Sequence, residues 1–152
     1  MNKKAILSPN SPRLELVPGT SFFAEKPIID YLDAVHLLVE EFKDYTQEYL
    51  LVLSLDCSHY PINFFIAAMG ETEEVIFDTP SLFRTPLLSS AAEIIVLHNH
   101  PNALAEPSEE DQKYAEKLVW LGKKLNIPIF DQMIFNDKGE LYSFKEGKVI
   151  HP

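Results

Sequence analysis

The sequence predicts an α/β domain, because two unbroken apolar runs of strand length alternate with two amphipathic helical stretches in a chain of single-domain size. The runs are Tyr49-Leu-Leu-Val-Leu-Ser-Leu55 and Ile94-Ile-Val-Leu97. Near-continuous apolar strands are those buried on both faces, which requires helices to cover the sheet. The helical stretches lie at about 30–44 and 108–126, and 152 residues suffice for one substantial core.

Residues 1–27 read as a Pro-rich arm, since Pro9, Pro12, Pro18 and Pro27 break any helix, although Arg13–Val17 alternates like a short edge strand. Asp30 is a plausible N-cap for a helix with apolar positions Leu32, Val35, Leu38, Val39 and Phe42. The 49–55 run is expected to be central in the sheet. Residues 56–61 read as a turn, 62–69 as its antiparallel partner and 74–77 as a short further strand. Across 81–92, Leu82, Phe83, Leu87 and Leu88 suggest a helix that Pro86 leaves kinked or short.

The second buried strand ends in His98-Asn-His-Pro101, and a loop rich in Pro, Asn and Ala follows to Pro107. Ser108 opens a helix whose apolar face is Ala115, Leu118, Val119 and Leu125, closing near Asn126 before Pro128. Residues 129–135 and 140–144 flank Asn136-Asp-Lys-Gly139, a hairpin signal. Trp120, Phe130 and Phe135 read as core, and Cys57, following a buried strand, as an inert buried thiol.

Composition removes several classes of function. Hydrophobic residues at 46% and charged residues at 24% are those of a soluble globular protein, and no apolar run approaches the ~20 residues needed to span a bilayer. The basic start Met1-Asn-Lys-Lys4 runs into Ser and Pro instead of an apolar signal core, so a cytoplasmic location is expected. A net charge of -10 repels a phosphate backbone and disfavours direct nucleic-acid binding. With one cysteine, any metal must be held by His and carboxylates.

His98 and His100, two apart in an extended segment, point to one face with backbones about 6.7 Å apart, so both imidazoles can converge on one ion. Ten residues separate Asp111 from His100, enough to loop back with a carboxylate and complete a set that zinc accepts. Three protein ligands would leave a fourth position for water, the catalytic arrangement. Ser108-Glu-Glu-Asp111 is equally the pattern of a helix capping box, and the two readings are compatible. A hydrolase also needs a carboxylate to move the water's proton, and Glu48, at the start of the first buried strand, is the candidate. Its alternative is an ordinary surface glutamate ending a polar segment. His36, His59 and His151 have no metal partner at useful spacing.

His98-x-His100, then seven residues, then Ser108-x-x-Asp111, resembles the JAMM signature in every spacing. The stretches Ser90–Pro101, Leu118–Asp131 and Glu48–Asp56 resemble the RadC-like branch of the JAB/MPN superfamily, over roughly residues 28–150. The resemblance implies a curved mixed β-sheet flanked by helices, of cytidine deaminase-like architecture. It implies zinc held by His98, His100 and Asp111, with Glu48 as general acid/base and Ser108 as a hydrogen-bond donor to the tetrahedral intermediate. The activity implied is that of a metallopeptidase acting on a peptide or protein substrate, the alternative being a non-catalytic partner-binding module. Oligomeric state is left open. Departures from the family pattern are a loop without its usual glycine, Pro86 within a helix, Gln132 where a His is common, and a Pro-rich arm in place of a helix-hairpin-helix segment.

Overall fold

The computed structural model describes residues 26–42, 46–70 and 79–151, with the backbone alone for 38–42. Three expectations lie outside the described residues: the 13–17 strand, the 74–77 strand and the packing of Leu38, Val39 and Phe42. Chain order is α1 (Tyr31–Phe42), β1 (Glu48–Leu55), β2 (Pro61–Gly70), α2 (Thr79–Leu88), β3 (Glu93–His100), α3 (Glu109–Leu125), β4 (Ile129–Asn136), β5 (Leu141–Ser143) and β6 (Lys148–Ile150). The strands form one six-stranded sheet, ordered β2-β1-β3-β4-β5-β6. Among the described residues only β3 and β4 are parallel, joined through α3, as parallel neighbours need a crossover. The α/β class with a mixed sheet and flanking helices is therefore observed, and β6 is a strand the sequence reading lacks.

Strand parity sorts side chains between two cores. Leu51, Leu53 and Leu55 of β1 join Ile95 and Leu97 of β3 beneath Ala34 and Val35 of α1. Leu50 and Val52 join Ile94 and Val96 on the other face, beneath Leu82 and Phe83 of α2 and Leu118 of α3. Each fully buried Leu or Ile contributes about 1.5–3 kcal/mol, and a slip of one residue would reverse every one of these assignments, so the register is firmly set. His98 lies opposite Leu50 in the β1–β3 ladder and is thereby assigned to the face covered by α3.

Helix ends follow local chemistry. Asp30 caps α1, its Oδ1 accepting from the N–H of Leu32 at 2.8 Å and Asp33 at 3.2 Å. Pro86 sits in the last turn of α2, where its missing N–H forfeits a single bond, so the helix is short. The chain then reverses through Ser90 at φ 55°, with the Ala91 N–H returning to the Pro86 carbonyl at 2.9 Å. Asn126 at φ 57° closes α3 in the same way.

Four expected burials are corrected. Trp120 is 59% and Val119 39% exposed, because the stripe of α3 that meets the sheet is Ala115, Leu118 and Gly122; Leu125, the last residue of the helix, is 39% exposed. At 100° per residue, positions 119 and 120 turn outward. Cys57 is exposed, since it stands in the 56–60 turn past the end of β1, where Asp56 Oδ1 gathers the N–H groups of Ser58 and Tyr60.

Asp131 of β4 is 4% exposed and accepts hydrogen bonds from Ser143 Oγ at 2.6 Å, Gln132 N at 2.7 Å and Lys145 N at 3.1 Å. Burial pushes its carboxyl pKa up, and these hydrogen bonds only partly oppose that. A folded pKa above the unfolded one means the native state holds its proton longer, so this group's contribution to stability falls as pH rises through the folded pKa. Asp131→Asn keeps acceptors for both N–H groups and is expected to flatten that fall in denaturant titrations across the acidic range. Parallel pH profiles for the two proteins would contradict this assignment.

Candidate metal centre

The two histidines occupy the C-terminal end of β3, and Pro101 ends the strand directly after them. Parity points both towards α3, with ring centroids 4.7 Å apart and planes at 85°. Asp111 is the third residue of α3, on the same stripe as Ala115 and Leu118. The helix rotation that buries Leu118 completely therefore also aims Asp111 at the histidines.

Ser108 starts the helix as its N-cap, accepting from Asp111 N at 3.1 Å in a complete capping box. Its hydroxyl and backbone N–H both donate to Asp111 Oδ2, at 2.7 and 2.8 Å. Cap and site are thus one arrangement: the bonds that begin α3 also fix the Asp111 carboxylate.

Asp111 Oδ1 lies 3.5 Å from His98 Nδ1, and Oδ2 lies 3.6 Å from His100 Nε2. Among the described residues these three side chains are the group that could hold a metal ion, offering ligand atoms within 4.8 Å of one another. A tetrahedral ion with bonds of about 2.0–2.1 Å has donor-to-donor edges of about 3.3 Å. The two observed separations, each to a different oxygen of Asp111, are of the order of that edge, and the set of two imidazoles and one carboxylate suits zinc.

The tautomer of His100 is set by its surroundings. Its Nδ1 lies 3.0 Å from the Leu104 carbonyl, which can only accept, so Nδ1 carries the proton and Nε2 presents its lone pair to the site. The loop that brings Leu104 there is held by Asn136, whose Nδ2 donates to the Ala103 carbonyl at 2.9 Å, and by Asp137 Oδ1, which accepts from Asn102 N at 3.2 Å.

Glu48, the first residue of β1, places Oε2 3.8 Å from His98 Nε2. The His98 imidazole holds its carboxyl below the ordinary range against opposing burial, so Glu48 stands as an anion. Burial also pushes Asp111 up, but His98 and the Ser108 hydrogen bonds outweigh it and hold that carboxyl well below the usual range. For His98, burial lowers the pKa, and Asp111 and Glu48 reverse it to a net rise. A cleft between the sheet and α3 reaches His98 and Asp111, lined also by Leu50, Val96, Tyr114 and Gln132.

The structure thus brings together all five residues singled out from the sequence: Glu48, His98, His100, Ser108 and Asp111. His36 and His151 are exposed, and His59 pairs with Glu93 at the other end of β3. The Leu104 carbonyl and Asn136 escape sequence reasoning, because a backbone acceptor and an asparagine in a hairpin carry no motif. Asn99 also escapes it, although its place inside His-x-His is a visible signal.

Fold and site together define a mixed-sheet α/β domain with a candidate His-His-Asp metal centre at the end of a central strand. The family model described as RadC-like JAB domain matches residues 28–149, and the chain belongs to that family. It is similar to a UPF0758 protein of Methanosarcina acetivorans, 32% identical over 135 residues covering 87% of this chain and 58% of that protein. A UPF0758 protein of Methanococcoides burtonii is 34% identical over 139 residues, covering 90% of this chain and 60% of the relative. One from Alkaliphilus metalliredigens is 32% identical over 118 residues, covering 78% and 50%. The chain therefore spans about half to three fifths of the length of these relatives. No helix among the described residues is long and apolar enough to cross a membrane.

Proposed function

We propose that this domain is a zinc-dependent hydrolase that cleaves peptide or isopeptide bonds of a protein or peptide substrate in the cytoplasm. The observation that carries the reading is the convergence of His98, His100 and Asp111, with ligand atoms within 4.8 Å of one another, beside the Glu48 carboxylate at 3.8 Å from His98. When bound, zinc supplies an acidified water and polarises a carbonyl oxygen. Glu48 takes the proton of the attacking water and returns it to the departing amine. Ser108 fixes Asp111 through its hydroxyl and N–H, and it can assist a substrate oxygen only by turning that hydroxyl away from Asp111.

The overall charge of -10 disfavours a nucleic-acid substrate, and a polypeptide is the class this chemistry suits. Turnover should be sought on a panel of peptide and isopeptide-linked substrates. Activity abolished by chelation and restored by zinc supports the reading. Activity indifferent to chelator, or protein that takes up no zinc, overturns it; the latter result favours a non-catalytic partner-binding module.

A further inference from the structure

We infer that Asn99, the residue between the two histidines, is a positioning residue that holds Glu48 at the metal centre. This rests on the reading of Glu48 as proton carrier and adds the device that places it. Asn99 is 4% exposed and, by parity, lies on the opposite side of β3 from His98 and His100. The backbone pairing of β1 with β3 runs from Leu55–Glu93 to Leu50–His98 and goes no further. Glu48 lies two residues beyond that last pair.

The Asn99 carboxamide takes over at this point. Its Oδ1 accepts from Tyr49 N at 2.5 Å, and its Nδ2 donates to the Gln47 carbonyl at 2.8 Å. Those two groups flank Glu48 on either side in sequence, so one side chain grips the backbone immediately before and after it. On its other side Glu48 lies opposite Gly70 of β2. The residue that separates the two imidazole ligands thereby also fixes how far the Glu48 carboxylate stands from them. A donor and an acceptor are both required, a combination a carboxamide of this length supplies and Asp or Ala does not.

Three variants test the assignment. Asn99→Ala removes both bonds and leaves His98, His100 and Asp111 in place. Zinc stoichiometry is expected to stay at the wild-type value, while amide exchange at Tyr49 accelerates at least tenfold and Leu51–Leu53 remain protected. Asn99→Asp retains an acceptor for Tyr49 N and sets a carboxylate oxygen against the Gln47 carbonyl, so it should recover Tyr49 protection only in part. On a substrate found by the panel above, Asn99→Ala should lower kcat at least tenfold in the wild-type background and have little further effect beside Glu48→Gln.

Unchanged Tyr49 exchange in a folded, zinc-loaded Asn99→Ala protein overturns the inference, as does an undiminished kcat. So does an equal loss in the Glu48→Gln background, which would make Asn99 act independently of Glu48. Wild-type protein that fails to bind zinc would instead overturn the metal reading, and the exchange measurement would still report whether Asn99 holds the backbone around Glu48.

Discussion

Glu48→Gln is expected to leave zinc bound at the wild-type stoichiometry and to reduce turnover by roughly 10²–10⁴-fold, the usual contribution of a positioned acid/base group. Glutamine matches glutamate in size and keeps an oxygen near His98, so packing at the start of β1 is preserved. What disappears is the capacity to carry a proton, because an amide neither accepts one at neutral pH nor donates one to a departing amine. That loss corresponds to about 3–5 kcal/mol of activation free energy. Leu50 and Val52, buried to 2% and 0% exposure, anchor β1 without Glu48. Undiminished turnover in this variant would remove Glu48 from the chemistry, and loss of zinc would make it a ligand instead.

The second large effect concerns Asp111→Asn. The carboxylate supplies the anionic donor of the set and faces both imidazoles, at 3.5 Å from His98 and 3.6 Å from His100. Asparagine retains one oxygen to accept from Ser108, so α3 still begins where it does. A neutral amide oxygen is a far weaker zinc ligand, and the affinity should fall by more than the 10–100-fold that loss of an outer partner costs. A ligand that binds only the folded state stabilises it by about 2.7 kcal/mol at one hundred times its dissociation constant. Zinc should therefore raise the unfolding midpoint of the wild-type protein and leave that of Asp111→Asn unmoved at the same concentration. Equal stabilisation of both would show that zinc binds elsewhere.

How much of this was legible in the sequence depends on how local each feature is. The alternation of His98 and His100 along one strand face, and the cap at Ser108 and Asp111, are properties of a few consecutive residues, and the structure repeats both. The buried runs 49–55 and 94–97 are equally local, since both faces of the sheet are covered and nearly every residue of each run must be apolar. Glu48 is different: its nearness to His98 comes from the antiparallel pairing of β1 with β3, across fifty residues of chain, and spacing alone left it an ordinary surface carboxylate as plausibly as a base. Trp120 faces solvent because it stands about 200° around α3 from Leu118, and the inward stripe is hard to read from sequence because Gly122 completes it with no side chain. The grip of Asn99 on Gln47 and Tyr49, and of Leu104 on His100, depends on backbone atoms, which every residue possesses and no composition reveals.

X-ray absorption of the zinc-loaded protein tests the central claim most directly, since it reads the donors around the ion. About four donors are expected at about 2.0–2.1 Å, two of them showing imidazole scattering and the others oxygen, with the imidazole signal reduced by half in His100→Ala. A zinc environment without imidazole, or one that His100→Ala leaves unaltered, would contradict it.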